Sequence, residues 1–117
     1  MPAFTIYVEF IGDLTTGGIE AIRQTLEAED RDAFPGIAIS LKRLKAARWN
    51  AVLALAKACR AYRDEGRDVF LMGTRSTRIL FAGIEPTLDW VDSIGSSHIL
   101  RHVIVANRDR ADEHAVA

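Results

Sequence analysis

Lys42, Arg43, Lys45 and Arg48 place four cations within seven residues, with no acid among them. They follow the apolar stretch Ile37-Ala38-Ile39 and precede Asn50. Residues 37–50 thus read as a buried strand, a basic loop and the opening of a helix. Helix N-termini add free N–H groups and partial positive charge, so this order suits a phosphate, a carboxylate or an acidic protein surface. Arg75 and Arg78 follow the next apolar run. Ligands of parallel α/β sheets bind beyond the carboxyl ends of strands, so neighbouring strands would bring all six cations together. The competing account is a solvated basic edge without a partner, the ordinary fate of a charge run.

Other side chains around this segment have two readings each. Trp49 is either an exposed anchor for a partner, a common interface role of Trp, or a staple packed at the helix entry. Asn50 suits a helix N-cap better than a catalytic amide. Asp13 follows Gly12, common turn chemistry. The run Gly73-Thr74-Arg75-Ser76 offers backbone N–H groups to a phosphate, although a single Gly is a weak signal. His98 and His102 are four apart, a spacing that can begin a zinc site on a helix, but no third ligand accompanies them and His114 lies in a polar tail. Cys59 falls on an apolar helical stripe and reads as a small buried hydrophobe, far from any base that would activate it. No phosphate-binding loop, dinucleotide fingerprint or serine elbow occurs. The pattern predicts binding without turnover: no catalytic residue, no metal site and no cofactor.

The elements that hold these residues follow from periodicity. Phe4, Ile6, Val8 and Phe10 alternate with Thr5, Tyr7 and Glu9 as a strand ended by Gly12-Asp13. Thr16 is the expected N-cap of a helix with Ile19, Ile22 and Leu26 on one face. The acidic segment from Glu27 to Asp32 is expected to be a solvated helix end and loop. Ile37, Ile39 and Leu41 form a short strand. After Asn50, Val52, Leu55, Ala56, Cys59 and Tyr62 keep helical spacing up to Gly66, a natural C′ residue. Residues 69–72 are a continuous apolar run, as in a strand buried on both faces. A short helix is predicted over 77–82, a strand around Leu88–Val91, and a last helix carrying Ile99, Leu100, Val103 and Ile104. The resulting order, β-α-β-α-β-α-β-α, predicts an α/β domain over 1–106 whose four or so strands form a mixed, largely parallel sheet, with a polar tail at 107–117.

Composition narrows the classes further. At 117 residues the chain is expected to be one domain that buries roughly 65% of its unfolded surface. A net charge of −1 gives no global reason to expect nucleic acid, which leaves only local patches. A single cysteine cannot form an internal disulfide, which fits a reducing compartment. The N-terminus lacks a basic segment and carries Glu9 within its apolar stretch, unlike a signal peptide. No run approaches the roughly 20 apolar residues that span a bilayer. A cytoplasmic protein is expected.

Three segments together resemble the STAS family, the module of anti-sigma-factor antagonists and sulfate-transporter tails. They are VEFIGDLT (8–15), IAISLKRLKAARWNAVLAL (37–55) and ACRAYRDEGRDVFLMGTRSTRILFAGIE (58–85). The resemblance implies a single STAS-like domain that docks a regulatory protein, an anti-sigma factor or kinase-like protein. It implies contacts from Asp13, Ser40, Lys42, Arg43, Arg48, Trp49, Asn50, Arg75 and Ser76. The family's Asp-Ser-Ser/Thr-Gly switch motif is replaced here by Arg48, Trp49, Asn50 and Ala51, so the phosphorylatable hydroxyl is missing, and Ser40 stands where the family's strand-end Asp is common. The alternative is a sensor that takes a small anion, nucleotide or lipid headgroup in the same basic crevice.

Overall fold

A computed structural model describes residues 5–28, 35–95 and 99–106. Phe4, His98, His114, the acidic residues Glu29, Asp30 and Asp32 and the tail from 107 lie outside the described residues. The elements are β1 (Thr5–Leu14), α1 (Thr16–Glu27), β2 (Gly36–Ala47), α2 (Trp49–Asp64), β3 (Asp68–Met72), α3 (Arg75–Ala82), β4 (Asp89–Trp90) and β5 (Ile99–Ala106). The strands form one sheet in the order β4-β3-β2-β1-β5. Every pairing is parallel, so the sheet is not mixed.

From β1 to β4 each strand is laid beside the last in one direction. Right-handed crossovers taken always in one direction put every connecting helix on the same face. The core shows this arrangement. Ile6, Val8 and Phe10 of β1, Ile37, Ile39 and Leu41 of β2, and Val69 and Leu71 of β3 are packed with Ile22 and Leu26 of α1, Val52 and Leu55 of α2, and Phe81 of α3. Parallel register keeps paired residues on one face, which places Ala38, Ser40 and Met72 on the other. That second face also carries Tyr7, Glu9, His102 and Ile104.

The last predicted helix is a strand. Val103 pairs with Val8 and Val105 with Phe10, so the valines continue the helix-covered face. A short apolar run suits either period, and pairing decided it: β1 would otherwise leave its outer row of N–H and C=O groups open. The order is therefore β-α-β-α-β-α-β-β. The predicted strand near Leu88 shrinks to two residues, and the short helix starts at Arg75, two residues earlier than expected.

Neither β1 nor β2 stops where its turn chemistry suggests. β1 continues through Gly12-Asp13 to Leu14, and β2 continues through the basic run to Ala47. Two register shifts, each with one extra residue on β2, accommodate the pairing. Gly12 (φ 88°) adopts the left-handed conformation beside the second shift, which a residue without Cβ tolerates. Gly66 (φ 90°) ends α2 in the same conformation, as its sequence position suggested.

Candidate functional site

The basic run is a strand and not a loop. Lys42, Arg43 and Lys45 are exposed along β2. The first bulge displaces the chain at Leu41-Lys42, and the Ser40 hydroxyl accepts the Lys42 amide at 3.5 Å. A bulge leaves an amide outside the ladder, and a serine two residues back is placed to satisfy it. Ser40 itself is 1% exposed, so it supports the backbone from inside.

β3 ends opposite Ser40, whereas β2 runs seven residues further. At about 3.3 Å per residue this overhang spans about 23 Å of chain. Arg48, Trp49 and Asn50 therefore stand at the tip of a ribbon made by β1 and β2. Arg75 and Ser76 stand where α3 opens, just past the end of β3. The nine expected contact residues do not form one crevice. Asp13, paired with Ala46, is a half-buried strand residue near the tip and not a turn.

Two of the six cations do converge, and a strap of the chain already occupies them. Lys42 Nζ donates to the Asp92 carbonyl at 2.6 Å. Arg78 Nη2 donates to Asp92 Oδ1 at 3.0 Å and to the Val91 carbonyl at 3.4 Å, while its guanidinium lies 5.7 Å from the Trp90 ring centre. Arg43 approaches Glu9 instead, at 3.8 Å.

α2 opens differently from the expected geometry. Its N-cap is Arg48, with no side-chain cap bond, and Asn50 is an exposed second residue of the helix. α1 and α3 are capped by Thr15 and Thr74, whose hydroxyls accept from Gly18 and Thr77 amides; the cap of α1 is thus one residue before Thr16. Trp49 is 58% exposed and Leu53, one turn on, is 41% exposed. Residues four apart share a helix face, so the two form an uncovered apolar pair. Below them, Leu53, Ala56, Lys57, Arg60, Ile84 and Glu85 line a groove of about 190 Å³. Glu85 closes that groove; a hydrogen bond from the Thr87 hydroxyl leads the causes that hold its carboxyl below the ordinary range, with Arg60 contributing at 3.7 Å.

One polar cluster on the sheet's second face escaped the sequence. Glu9 is flanked by Arg43 and by His102 Nε2 at 3.7 Å, and the His102 ring meets Tyr7 edge-on at 4.7 Å. A lone carboxylate within an apolar strand was the available signal, but its partners depend on β5 being a strand. For the same reason His102 lies on a strand and not on the expected helix face. Among the described residues no three His, Cys, Asp or Glu side chains gather as a metal-binding group. Cys59 is fully buried, and desolvation pushes its thiol up to about 12. No described helix is long and apolar enough to cross a membrane. No protein-family model, curated protein or solved structure matches the chain.

Proposed function

We propose that this protein is a non-catalytic regulatory interaction module, resembling a STAS anti-sigma-factor antagonist without the switch hydroxyl, that docks an acidic face of a regulatory protein at the tip formed by β2 and α2. The observation that carries this reading is Trp49: a large aromatic 58% exposed at the first residue of α2, beside exposed Arg48 and one turn from exposed Leu53. Aromatic and arginine side chains in one patch are typical interface anchors. The three segments that carry the resemblance fall on β1 and its exit, on β2 with the start of α2, and on α2-β3-α3, in unbroken order. At the two hydroxyl positions of the switch motif stand Trp49 and Asn50, both exposed, and neither side chain carries a hydroxyl for a kinase.

The anion-sensor alternative has less support, because Lys42 and Arg78 already hold the Asp92 segment. The deciding experiment is affinity capture from native extract at low and moderate salt, comparing wild type with an Arg48→Glu/Trp49→Ala variant. The expected result is a kinase-like or other regulatory protein held by wild type, weakened by salt and lost by the variant. Equal retention by both proteins, or none by either, removes the tip as a docking face.

A further inference from the structure

A second site lies at the opposite end of the helical layer, between the last turns of α1 and α2. A cavity of about 260 Å³ opens there. Leu26, Ala58 and Ala61 supply apolar walls, and Tyr62 and Arg67 form its inner end. Arg67 is only 6% exposed and Tyr62 8%. Arg67 Nε and Nη1 and the Tyr62 hydroxyl are buried without a hydrogen-bond partner. Glu65 Oε2 is 4.0 Å from Arg67 Nε, too far for a hydrogen bond. A guanidinium cannot shed its charge, and a buried cation with unpaired donors is costly. Native proteins pair such groups, so three orphaned polar atoms on two side chains that border one cavity point to a ligand that completes them.

We propose that this cavity binds a small organic monoanion, a carboxylate with a short hydrocarbon body. Its carboxylate meets Arg67 and the Tyr62 hydroxyl, and its body lies against Leu26, Ala58 and Ala61. Burial favours the protonated phenol of Tyr62, which keeps an O–H available to donate. The rim sets the charge of the ligand. Arg23 is engaged by Glu20 and Glu27, so it adds little free positive charge, and the Glu27 and Glu65 carboxylates oppose a dianion. Both helices also present their C-terminal, partially negative ends here. Among the described lining residues Arg67 is the cation with unmet donors, so the site suits a single negative charge. The volume falls just below the roughly 300 Å³ at which drug-sized pockets begin, which limits the body to a short chain or a single ring.

The test uses the full chain with hexanoate and benzoate as probes, hexanamide as the uncharged match and inorganic phosphate as the multivalent competitor. Amide chemical shifts are followed in wild type, Arg67→Met and Tyr62→Phe. The expected result is saturable binding of a carboxylate, with shifts concentrated at the ends of α1 and α2. Arg67→Met should weaken it by about tenfold or more, and Tyr62→Phe by a smaller factor. Both variants conserve volume and remove orphaned groups, so both should fold with a thermal midpoint no lower than wild type. The proposal is overturned if no carboxylate saturates, if hexanamide or phosphate binds as tightly as hexanoate, or if the variants bind like wild type. None of these outcomes touches Trp49, so docking at the tip stands or falls separately.

Discussion

Lys42 Nζ rests on the backbone carbonyl of Asp92, 2.6 Å away and fifty residues along the chain. This contact ties the overhanging part of β2 to the strap that leaves β4. The strap begins with the Val91 amide donating to the Leu71 carbonyl at 2.9 Å, the bond that closes the Leu71–Trp90 pair of β3 and β4. Lys42→Met should raise the hydrogen-exchange rate of the Val91 amide while changing global stability by less than about 1 kcal/mol, since the bond is exposed. Unchanged exchange at Val91 would show that Arg78 alone holds the strap.

Helix caps give a sharper test, because α2 opens without the threonine cap that α1 and α3 share. Thr15→Ala removes the acceptor of the Gly18 amide at 3.1 Å and should cost about 1 kcal/mol in urea denaturation. Asn50→Ala should cost less than about 0.5 kcal/mol, as Asn50 caps nothing. Arg48→Ser installs an oxygen at the cap of α2 and should raise stability by about 0.5–1 kcal/mol. A large loss at Asn50 would move the cap back to the position its residue type suggests.

That difference marks how much the sequence revealed. Strongly periodic segments were legible: the stripe Val52, Leu55, Ala56, Cys59 and Tyr62 is the buried face of α2, and residues 69–72 are a strand. Where local chemistry was the only guide, tertiary pairing overrode it. Gly12-Asp13 and the basic run look like chain breaks, yet β1 and β2 pair through both with bulges. Ile99 to Val105 fit a helix face until the open edge of β1 recruits them. The candidate site suffered most from this, because lengthening β2 carries Arg48 and Trp49 beyond the end of β3 and separates them from Arg75. The exposed Trp49 remained one of two open readings in the sequence; Tyr62 was legible only as part of the apolar stripe and Arg67 not at all, since only folding reveals an orphaned donor.

α3 is attached to the core through one side chain. Phe81 is completely buried and meets the Trp90 ring edge-on at 5.9 Å, while Ile79 is 63% exposed. Phe81→Ala should cost about 3–5 kcal/mol and change the emission of Trp90. Ile79→Ala, on the same helix, should stay within about 0.5 kcal/mol. Similar losses for the two variants would mean that α3 is not oriented as described.

Alkaline pH probes the inside of α2. Burial is the first cause of two raised values: the Cys59 thiol moves from 9.0 to about 12 and the Tyr62 phenol from 10.0 to about 12. In the unfolded chain these groups release protons near pH 9 and 10, while the native protein retains both. The unfolded state then binds fewer protons, so stability must fall as pH rises. The contribution is fully present below about pH 9 and disappears between about pH 9 and 12, with a limiting slope of about 1.4 kcal/mol per pH unit per group. Urea midpoints at pH 8, 10 and 11 should decline in that order, and Cys59→Val should flatten the first part of the decline. A disulfide reagent at pH 8 should label Cys59 only at the rate at which the native protein opens, because the thiolate is the reacting species and burial suppresses it. Rapid labelling together with a midpoint independent of pH would place Cys59 on the surface and reverse the assignment of the buried face of α2.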